Sequence, residues 1–248
     1  MTLEEVAEVR DILPPGFALI NYSTAKTCGI KRAVLRIDSH APTHRGGFHS
    51  MPNMPSLLTE ADYAAAAKKL NCDIAAIKAV AEVESSGNGF LSDGRVKILF
   101  EGHQFYKYTK GAFAVSHPTI CYKKWTTKFY TKGPNADVRG AGELARLADA
   151  IALNRYAALM SASYGKFQIM GFNFAVAGFP TVDEFYEAMQ ISEGEQLNAF
   201  CNYIKGNSID DELRSHNWAG FAFRYNGAEY KKNQYDTKLA KAHKKYGG

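Results

Sequence analysis

Helix start signals recur along the chain from residue 59 onward, and they limit the folds that it can adopt. Thr59-Glu-Ala-Asp62, Thr181-Val-Asp-Glu184 and Ser192-Glu-Gly-Glu195 each place a hydroxyl residue three positions before an acidic one, as in an N-terminal helix cap. Apolar residues then recur at helical spacing. The pattern predicts helices at roughly 60–70, 74–86, 141–158, 182–190, 193–205, 210–225 and 236–245.

The segment from Gly94 to Tyr130 is the exception to this helical pattern. Val96-Lys-Ile-Leu-Phe100 is a short apolar run, and the segment 122–130 is rich in aromatic and β-branched residues. Both features favour short strands joined by loops. The sequence therefore predicts a mainly helical α+β domain with a small β-hairpin region.

Residues 1–56 differ in character from the rest of the chain. They combine short apolar runs with turn-forming residues and end in a polar stretch, Ser39 to Asn53, before the alanine-rich helical region begins. We expect a short N-terminal extension of unknown role at 1–56 and the main domain at 57–248. A chain of 248 residues with 46% apolar content is long enough to bury one sizeable core in that domain.

The cysteines and histidines give no metal signature. The four cysteines are scattered without a CxxC pair, which favours reduced, buried thiols over a zinc ribbon or a disulfide scaffold. They are Cys28, Cys72, Cys121 and Cys201. His40, His44 and His49 lie close together, but their irregular spacing among Pro and Gly residues favours solvated loop histidines. We predict neither a metal nor a cofactor.

The charge balance is mildly basic and is compatible with an anionic polymer as partner. The chain has 30 Lys and Arg against 25 Asp and Glu, and several of the lysines lie near its end, between 231 and 245. Zinc-finger spacing, basic-leucine heptads and RNP-like strands are missing, so we do not expect nucleic acid as a partner. The terminal basic helix is either a solvated face or a contact for anionic lipopolysaccharide. We expect a monomer.

The chain shows no ordinary export or membrane signal. No stretch approaches the ~20 apolar residues of a membrane span. The first ten residues are acidic where a signal peptide would be basic and then apolar. We therefore expect synthesis in the cytoplasm without a signal peptide.

One glutamate lies on the apolar face of a predicted helix. Between Asp73 and Gly87, a helical wheel places Glu84 near the centre of the apolar face and Glu82 almost opposite, toward solvent. Loss of hydration disfavours the charged form of a carboxylate and raises its pKa, so that it can hold and deliver a proton near neutral pH. The pattern fits Glu84 as a general acid, and it fits equally a structural glutamate that contacts a buried arginine or neighbouring amides.

Three motifs extend this interpretation. Glu84-Ser85 closes a helix, Ser163-Tyr-Gly-Lys-Phe-Gln-Ile-Met170 contains a glycine and a glutamine, and Phe221-Ala-Phe-Arg-Tyr-Asn-Gly227 contains a tyrosine and an asparagine. In this order they resemble the motifs of goose-type lysozymes and lytic transglycosylases. The resemblance implies that Ser85, Gly165, Gln168, Tyr225 and Asn226 contact the substrate, with the tyrosine near the catalytic acid.

A narrower resemblance covers roughly residue 57 to the end. Ala79–Ser85, Lys97–His103, Ser163–Asn173 and the segment from Asn217 to Leu239 resemble the phage N-acetylmuramidase family, which is found in endolysins. The resemblance implies a lysozyme-like fold and hydrolysis of the β-1,4 bond between N-acetylmuramic acid and N-acetylglucosamine in bacterial peptidoglycan. It also implies release through a phage-made membrane lesion, with action in the periplasm. The chain departs from the family at Gly102, where arginine is more frequent.

Glycosidases usually need a second carboxyl group or a substrate group in its place. Glu101 is the candidate, because it ends an apolar run where a strand can direct its side chain into a cleft. It would orient water or support the positively charged sugar ring. The alternatives are a structural contact of Glu101 with Arg95 or His103, and Asp93 as the second carboxyl.

Two other functions remain open from the sequence. A lytic transglycosylase would use a substrate hydroxyl as nucleophile and leave a 1,6-anhydro ring. A non-catalytic wall-binding phage protein would keep the fold without the reaction, but the joint presence of Glu84, Gln168 and Tyr225 argues against it. Delivery by a secretion machine, as an antibacterial effector, is an alternative to phage lysis.

Overall fold

The structure is a computed structural model that describes residues 54–85 and 87–248. The predicted extension at 1–56, apart from its last three residues, lies outside the described residues, as do Cys28 and the three clustered histidines. The described residues form nine α-helices and three strands. In chain order they are α1 (Glu60–Leu70), α2 (Ile74–Glu84), β1 (Ile98–Phe100), α3 (Gly102–Thr109), α4 (Ala136–Met160), β2 (Ala162–Tyr164), β3 (Ile169–Met170), α5 (Val182–Met189), α6 (Glu193–Gly206), α7 (Asp210–Arg214), α8 (Trp218–Asn226) and α9 (Tyr235–Lys245). Short 3-10 helices lie at Gly171–Asn173 and Ala228–Asn233.

The predicted helix caps are present. The Thr59 hydroxyl accepts a hydrogen bond from the backbone N–H of Asp62, and the Asp62 carboxylate accepts one from the backbone N–H of Thr59. The hydroxyls of Thr181 and Ser192 likewise accept from the third residue of their helices. Asp73 caps α2 by accepting from the backbone N–H of Ala76 at 2.7 Å. These contacts satisfy backbone donors that have no partner within the helix, and they fix where each helix begins.

The segment from Gly94 to Tyr130 differs from its prediction. Its one strand is β1, and the aromatic run at 122–130 forms loops and turns rather than a strand. The run is held by side-chain packing, with the rings of Tyr122 and Phe129 4.9 Å apart. The helix α3 was not predicted, because Glu101 at its N-terminus makes no side-chain cap and the helix has only eight residues.

The three strands form one antiparallel sheet in the order β1-β2-β3. Ile98 lies opposite Tyr164 in the first pair, and Ser163 lies opposite Met170 in the second. The sheet therefore joins the apolar run before Glu101 to the segment that contains Gly165 and Gln168. The predicted small β region is confirmed, but its second and third strands come from this later part of the chain.

The predicted helix at 210–225 is broken into α7 and α8. His216 has a left-handed backbone (φ 53°) between them, and Asn217 starts α8 by accepting a hydrogen bond from the backbone N–H of Gly220. The long helix α4 starts at an Asn135 cap and contains one non-helical residue, Asn154. Its side chain accepts from the backbone N–H of Ala157 at 2.9 Å, which restarts the helix after the kink.

The helix α2 lies in the interior of the domain. It packs between α1 and α9, while β1 packs against α4. The core around these elements is rich in aromatic side chains. The largest fully buried ones include Tyr164, Phe100, Phe105, Phe167, Phe185, Phe200 and Phe221. Within residues 54–85 and 87–248, no helix combines the length and apolar character that crossing a membrane requires.

Candidate active site

Glu84 is the last residue of α2, and its side chain is directed into the interior, as the helical wheel predicts. It is only 2% exposed. Its Oε1 accepts a hydrogen bond from Nδ2 of Asn226 at 3.0 Å, whereas Oε2 has no hydrogen-bond partner among the described residues. Glu82 is exposed on the opposite face, where its carboxylate contacts Lys245 and Tyr246. The helix thus carries two glutamates in opposite environments.

Burial raises the pKa of Glu84 to about 7. The hydrogen bond from Asn226 and the positive charge of Lys238 act in the opposite direction and lower it, but burial is the larger effect. A buried carboxyl with this pKa is partly protonated near neutral pH. It can therefore donate a proton and later take one back in the same environment.

The end of α8 brings two motif residues to Glu84. Asn226 contacts the carboxyl directly, and Tyr225 is buried beside it. Burial raises the pKa of Tyr225 well above its usual value, and the negative charge of Glu84 raises it further. The Tyr225 ring stacks on Phe221 with centroids 5.6 Å apart and meets Phe200 edge-on at 5.5 Å. These ring contacts hold a neutral phenol next to the carboxyl.

The β2–β3 hairpin holds the glycine and the glutamine of the second motif. The Ser163 hydroxyl donates to Oε1 of Gln168, and Nε2 of Gln168 donates to the carbonyl of Gly165, both at 2.8 Å. Gly165 has a left-handed backbone (φ 71°), and a Cβ there would lie 2.4 Å from the side chain of Gln196. Gly165 is therefore required by the turn and by the close approach of a buried protein side chain.

The hairpin is tied to the residues that follow Glu84. Lys166, between Gly165 and Gln168, donates to the carbonyl of Gly87 at 2.9 Å and forms an ion pair with Glu193 at 3.3 Å. The buried Glu193 also accepts from the backbone N–H of Gly89 at 2.7 Å. Ser85, the C-cap residue that follows α2, has an extended backbone and is partly buried. Lys166 and Glu193 were not predicted from the sequence, because their contacts cross between distant segments.

Glu101 lies directly after β1, at the start of α3. It is 3% exposed, and its Oε1 accepts a hydrogen bond from the Tyr130 hydroxyl at 2.6 Å. Its Oε2 lies 3.1 Å from Nδ1 of His103, a contact without the alignment of a hydrogen bond. Arg95 instead pairs with Asp93 at 2.6 Å in a surface turn. The sequence offered two structural contacts for Glu101, with Arg95 or with His103. The structure has the contact with His103.

Tyr130 is a partner of Glu101 that the sequence did not indicate. Burial raises the pKa of Tyr130, and the adjacent charge of Glu101 raises it further, so its hydroxyl keeps its proton and donates. A side chain at Gly102 would collide with the ring of Tyr122, since a Cβ there would lie 2.3 Å from it. The close packing of Tyr122 therefore requires glycine at this position.

Glu84 and Glu101 belong to two separate polar clusters. Among the described residues, no hydrogen bond or ion pair joins the two carboxyl groups. The backbone N–H of Glu101 donates to the carbonyl of Ser161, just before β2, whereas the residues after Glu84 attach to Lys166, just after β2. The two clusters are thus anchored at opposite ends of one short strand.

Comparisons with known proteins agree on one family. The model of the N-acetylmuramidase family matches residues 73–247. The crystal structure of the Burkholderia AP3 phage endolysin is 42% identical, with a TM-score of 0.67 over 77% of this chain and 71% of that one. Among curated proteins, none matches. The predicted mainly helical, lysozyme-like α+β fold is confirmed. The chain belongs to the N-acetylmuramidase family and is a peptidoglycan-hydrolysing glycosidase of the phage endolysin type.

Proposed function

We propose that Glu84 is the general acid that protonates the bridging oxygen of the β-1,4 bond between N-acetylmuramic acid and N-acetylglucosamine. The observation that carries the proposal is its buried carboxyl, whose pKa is raised to about 7. The hydrogen bond from Asn226 also selects the oxygen that holds the proton. Because Oε1 already accepts from Asn226, the proton belongs on Oε2, the oxygen with no partner among the described residues.

Asn226 and Lys238 assist the second half of the proton cycle. After Glu84 has donated its proton, a carboxylate remains in a buried position, which is unfavourable without compensation. The amide of Asn226 and the positive charge of Lys238 stabilise this anion until it takes a proton from the attacking water. The neutral phenol of Tyr225 completes the surroundings of the acid without adding charge.

The β2–β3 hairpin is the proposed sugar-binding wall beside the acid. Gln168 uses one N–H and one oxygen lone pair inside the hairpin, which leaves its second N–H and a second lone pair for a sugar. Gly165 keeps the turn tight, and Lys166 holds the hairpin against the residues after Glu84. Ser85 and Asn226 lie at the same end of α2 and complete the proposed substrate-binding group.

Glu101 is the proposed second carboxyl, which supports the positively charged sugar ring or orients water. We expect Glu101→Gln to lower kcat by about 10²-fold, because it removes a charge and keeps the shape. Tyr130→Phe removes only one hydrogen bond to that carboxylate, so we expect a loss below about 10-fold. Rates on purified peptidoglycan and thermal unfolding of both variants check this. Parental activity of Glu101→Gln together with lower thermal stability would leave Glu101 with a structural role only.

Product mass separates hydrolysis from lytic transglycosylation. Hydrolysis adds one water to each cleaved bond and leaves reducing muramic acid ends, whereas transglycosylation adds none. We expect mass analysis of digested peptidoglycan to show the reducing ends. Digests that contain only 1,6-anhydro products would contradict the hydrolytic proposal and identify a transglycosylase.

We also propose a partner and a route for the enzyme. The catalytic domain at 57–248 acts as a monomer in the periplasm after release from the cytoplasm, with residues 1–56 as an extension. Lys241 and Lys244 are exposed on α9 and form a candidate contact for anionic lipopolysaccharide, whereas Lys245 pairs with Glu82. Binding to lipopolysaccharide vesicles should weaken as salt rises. An affinity that salt does not change would contradict this contact.

A further inference from the structure

Three side chains converge at the start of α2, at the opposite end of the helix from Glu84. Nε2 of His216 lies 2.6 Å from Oδ2 of Asp73. Nε2 of His243 lies 3.0 Å from the other oxygen, Oδ1. The three candidate ligand atoms all lie within 4.8 Å of one another. The two imidazole centroids are 4.4 Å apart. Two imidazole nitrogens and the Asp73 carboxylate therefore lie close enough together to share one ion.

The three residues come from separate parts of the fold. Asp73 caps α2, His216 lies in the turn between α7 and α8, and His243 is buried on α9. The ring of Trp218 packs against both imidazoles, with centroids 5.6 Å from His216 and 5.0 Å from His243. His216 has a left-handed backbone (φ 53°) in the turn that ends α7. The turn and the ring contacts hold the His216 ring in this cluster.

The ligand types and their exposure suit a divalent cation. Imidazole nitrogens and a carboxylate oxygen are ligands that zinc accepts, usually in a tetrahedral arrangement. Asp73 and His216 are partly exposed, which leaves access for a water molecule as the fourth ligand.

We propose that Asp73, His216 and His243 bind one zinc-type divalent cation, which links the start of the acid-bearing helix to the α7–α8 turn and to α9. Zinc–ligand distances of about 2.0–2.1 Å require ligand atoms about 3.3 Å apart in a tetrahedron. The nitrogen–oxygen separations of 2.6 and 3.0 Å, one to each oxygen of Asp73, therefore have to widen by about 0.7 Å and about 0.3 Å. No local spacing reveals this site, because Asp73 lies 143 residues before His216 and 170 before His243.

The direct test is zinc binding by the full, untagged chain after treatment with a chelator. We expect calorimetric titration with zinc chloride to show binding of one zinc ion at this cluster. We also expect zinc to raise the Tm of the protein. The informative variants are Asp73→Asn and His216→Ala. Asn caps a helix about as well as Asp, so Asp73→Asn keeps the start of α2 and removes the charged ligand. His216 is partly exposed, so its loss should leave the fold intact.

Each variant should raise the Kd for zinc at this site by at least about 10-fold and abolish the shift in Tm. The matched control is His117→Ala, which removes a histidine outside the cluster and should bind zinc like the parent. Absence of zinc binding by the parent would overturn the proposal. Parental zinc affinity in His216→Ala would also overturn it, since the ion would then be held elsewhere, for example by His40, His44 and His49.

Discussion

Replacement of Glu84 by Gln should lower the rate of peptidoglycan cleavage by roughly 10²–10⁴-fold, the contribution that a positioned general acid makes. Gln has the shape of Glu, and its carbonyl oxygen can still accept the hydrogen bond from Asn226. The variant should therefore keep the fold and lose only the proton that the reaction needs. Mass analysis of digested peptidoglycan, with parent and variant in parallel, measures the remaining rate.

Glu82→Gln is the matched control for this experiment. Glu82 is two residues earlier on the same helix, but it is exposed and contacts Lys245 and Tyr246 rather than the interior. We expect this variant to cleave at the parental rate. A Glu84→Gln variant that also clears cell walls at the parental rate would contradict the assignment of the acid.

The same substitution should stabilise the protein at alkaline pH. The pKa of Glu84 is raised in the folded state, from 4.5 to about 7, so the stability linked to its proton is present at acidic pH. That stability is lost as the pH rises through about 7, because the carboxyl must then ionise while buried. A shift of this size corresponds to about 3 kcal/mol in the free energy of unfolding. Gln carries no proton to lose and avoids this cost.

Urea unfolding at several pH values measures the effect. Relative to the parent, we expect the stability of Glu84→Gln to rise by about 3 kcal/mol between about pH 4 and pH 9. For Glu82→Gln we expect a change in stability of the opposite sign, a loss at neutral pH. Contacts with Lys245 and Tyr246 lower the pKa of Glu82 and so stabilise the parent fold at that pH. A difference between parent and Glu84→Gln that does not change with pH would contradict the raised pKa.

Local signals in the sequence predicted most helices and the burial of the acid. Capping residues such as Thr59 and Ser192 act within one helical turn, so their effect can be inferred from neighbouring residues alone. The burial of Glu84 followed from the helical period, because the residues around it on the wheel are apolar. The contact between Glu84 and Asn226 spans 142 residues, and the motif resemblance indicated only that the neighbouring Tyr225 lies near the acid.

Contacts between distant segments account for what the sequence did not predict. Strands of two or three residues, such as β2 and β3, owe their stability to their partners rather than to their own composition. The hydrogen bond from Tyr130 to Glu101 depends on a loop whose aromatic residues also suit a strand. The cluster around Asp73 assembles only when α2, the α7–α8 turn and α9 come together, so no local spacing reveals it.

The most direct test of the central claim is a titration of the Glu84 side chain by carbon-detected NMR. The signal is assigned as the glutamate carboxyl resonance that is absent from Glu84→Gln. We expect it to titrate with a midpoint near 7, which would show that the proton remains on the buried group at neutral pH. A midpoint near the ordinary glutamate value of about 4.3 would contradict the role of Glu84 as a general acid.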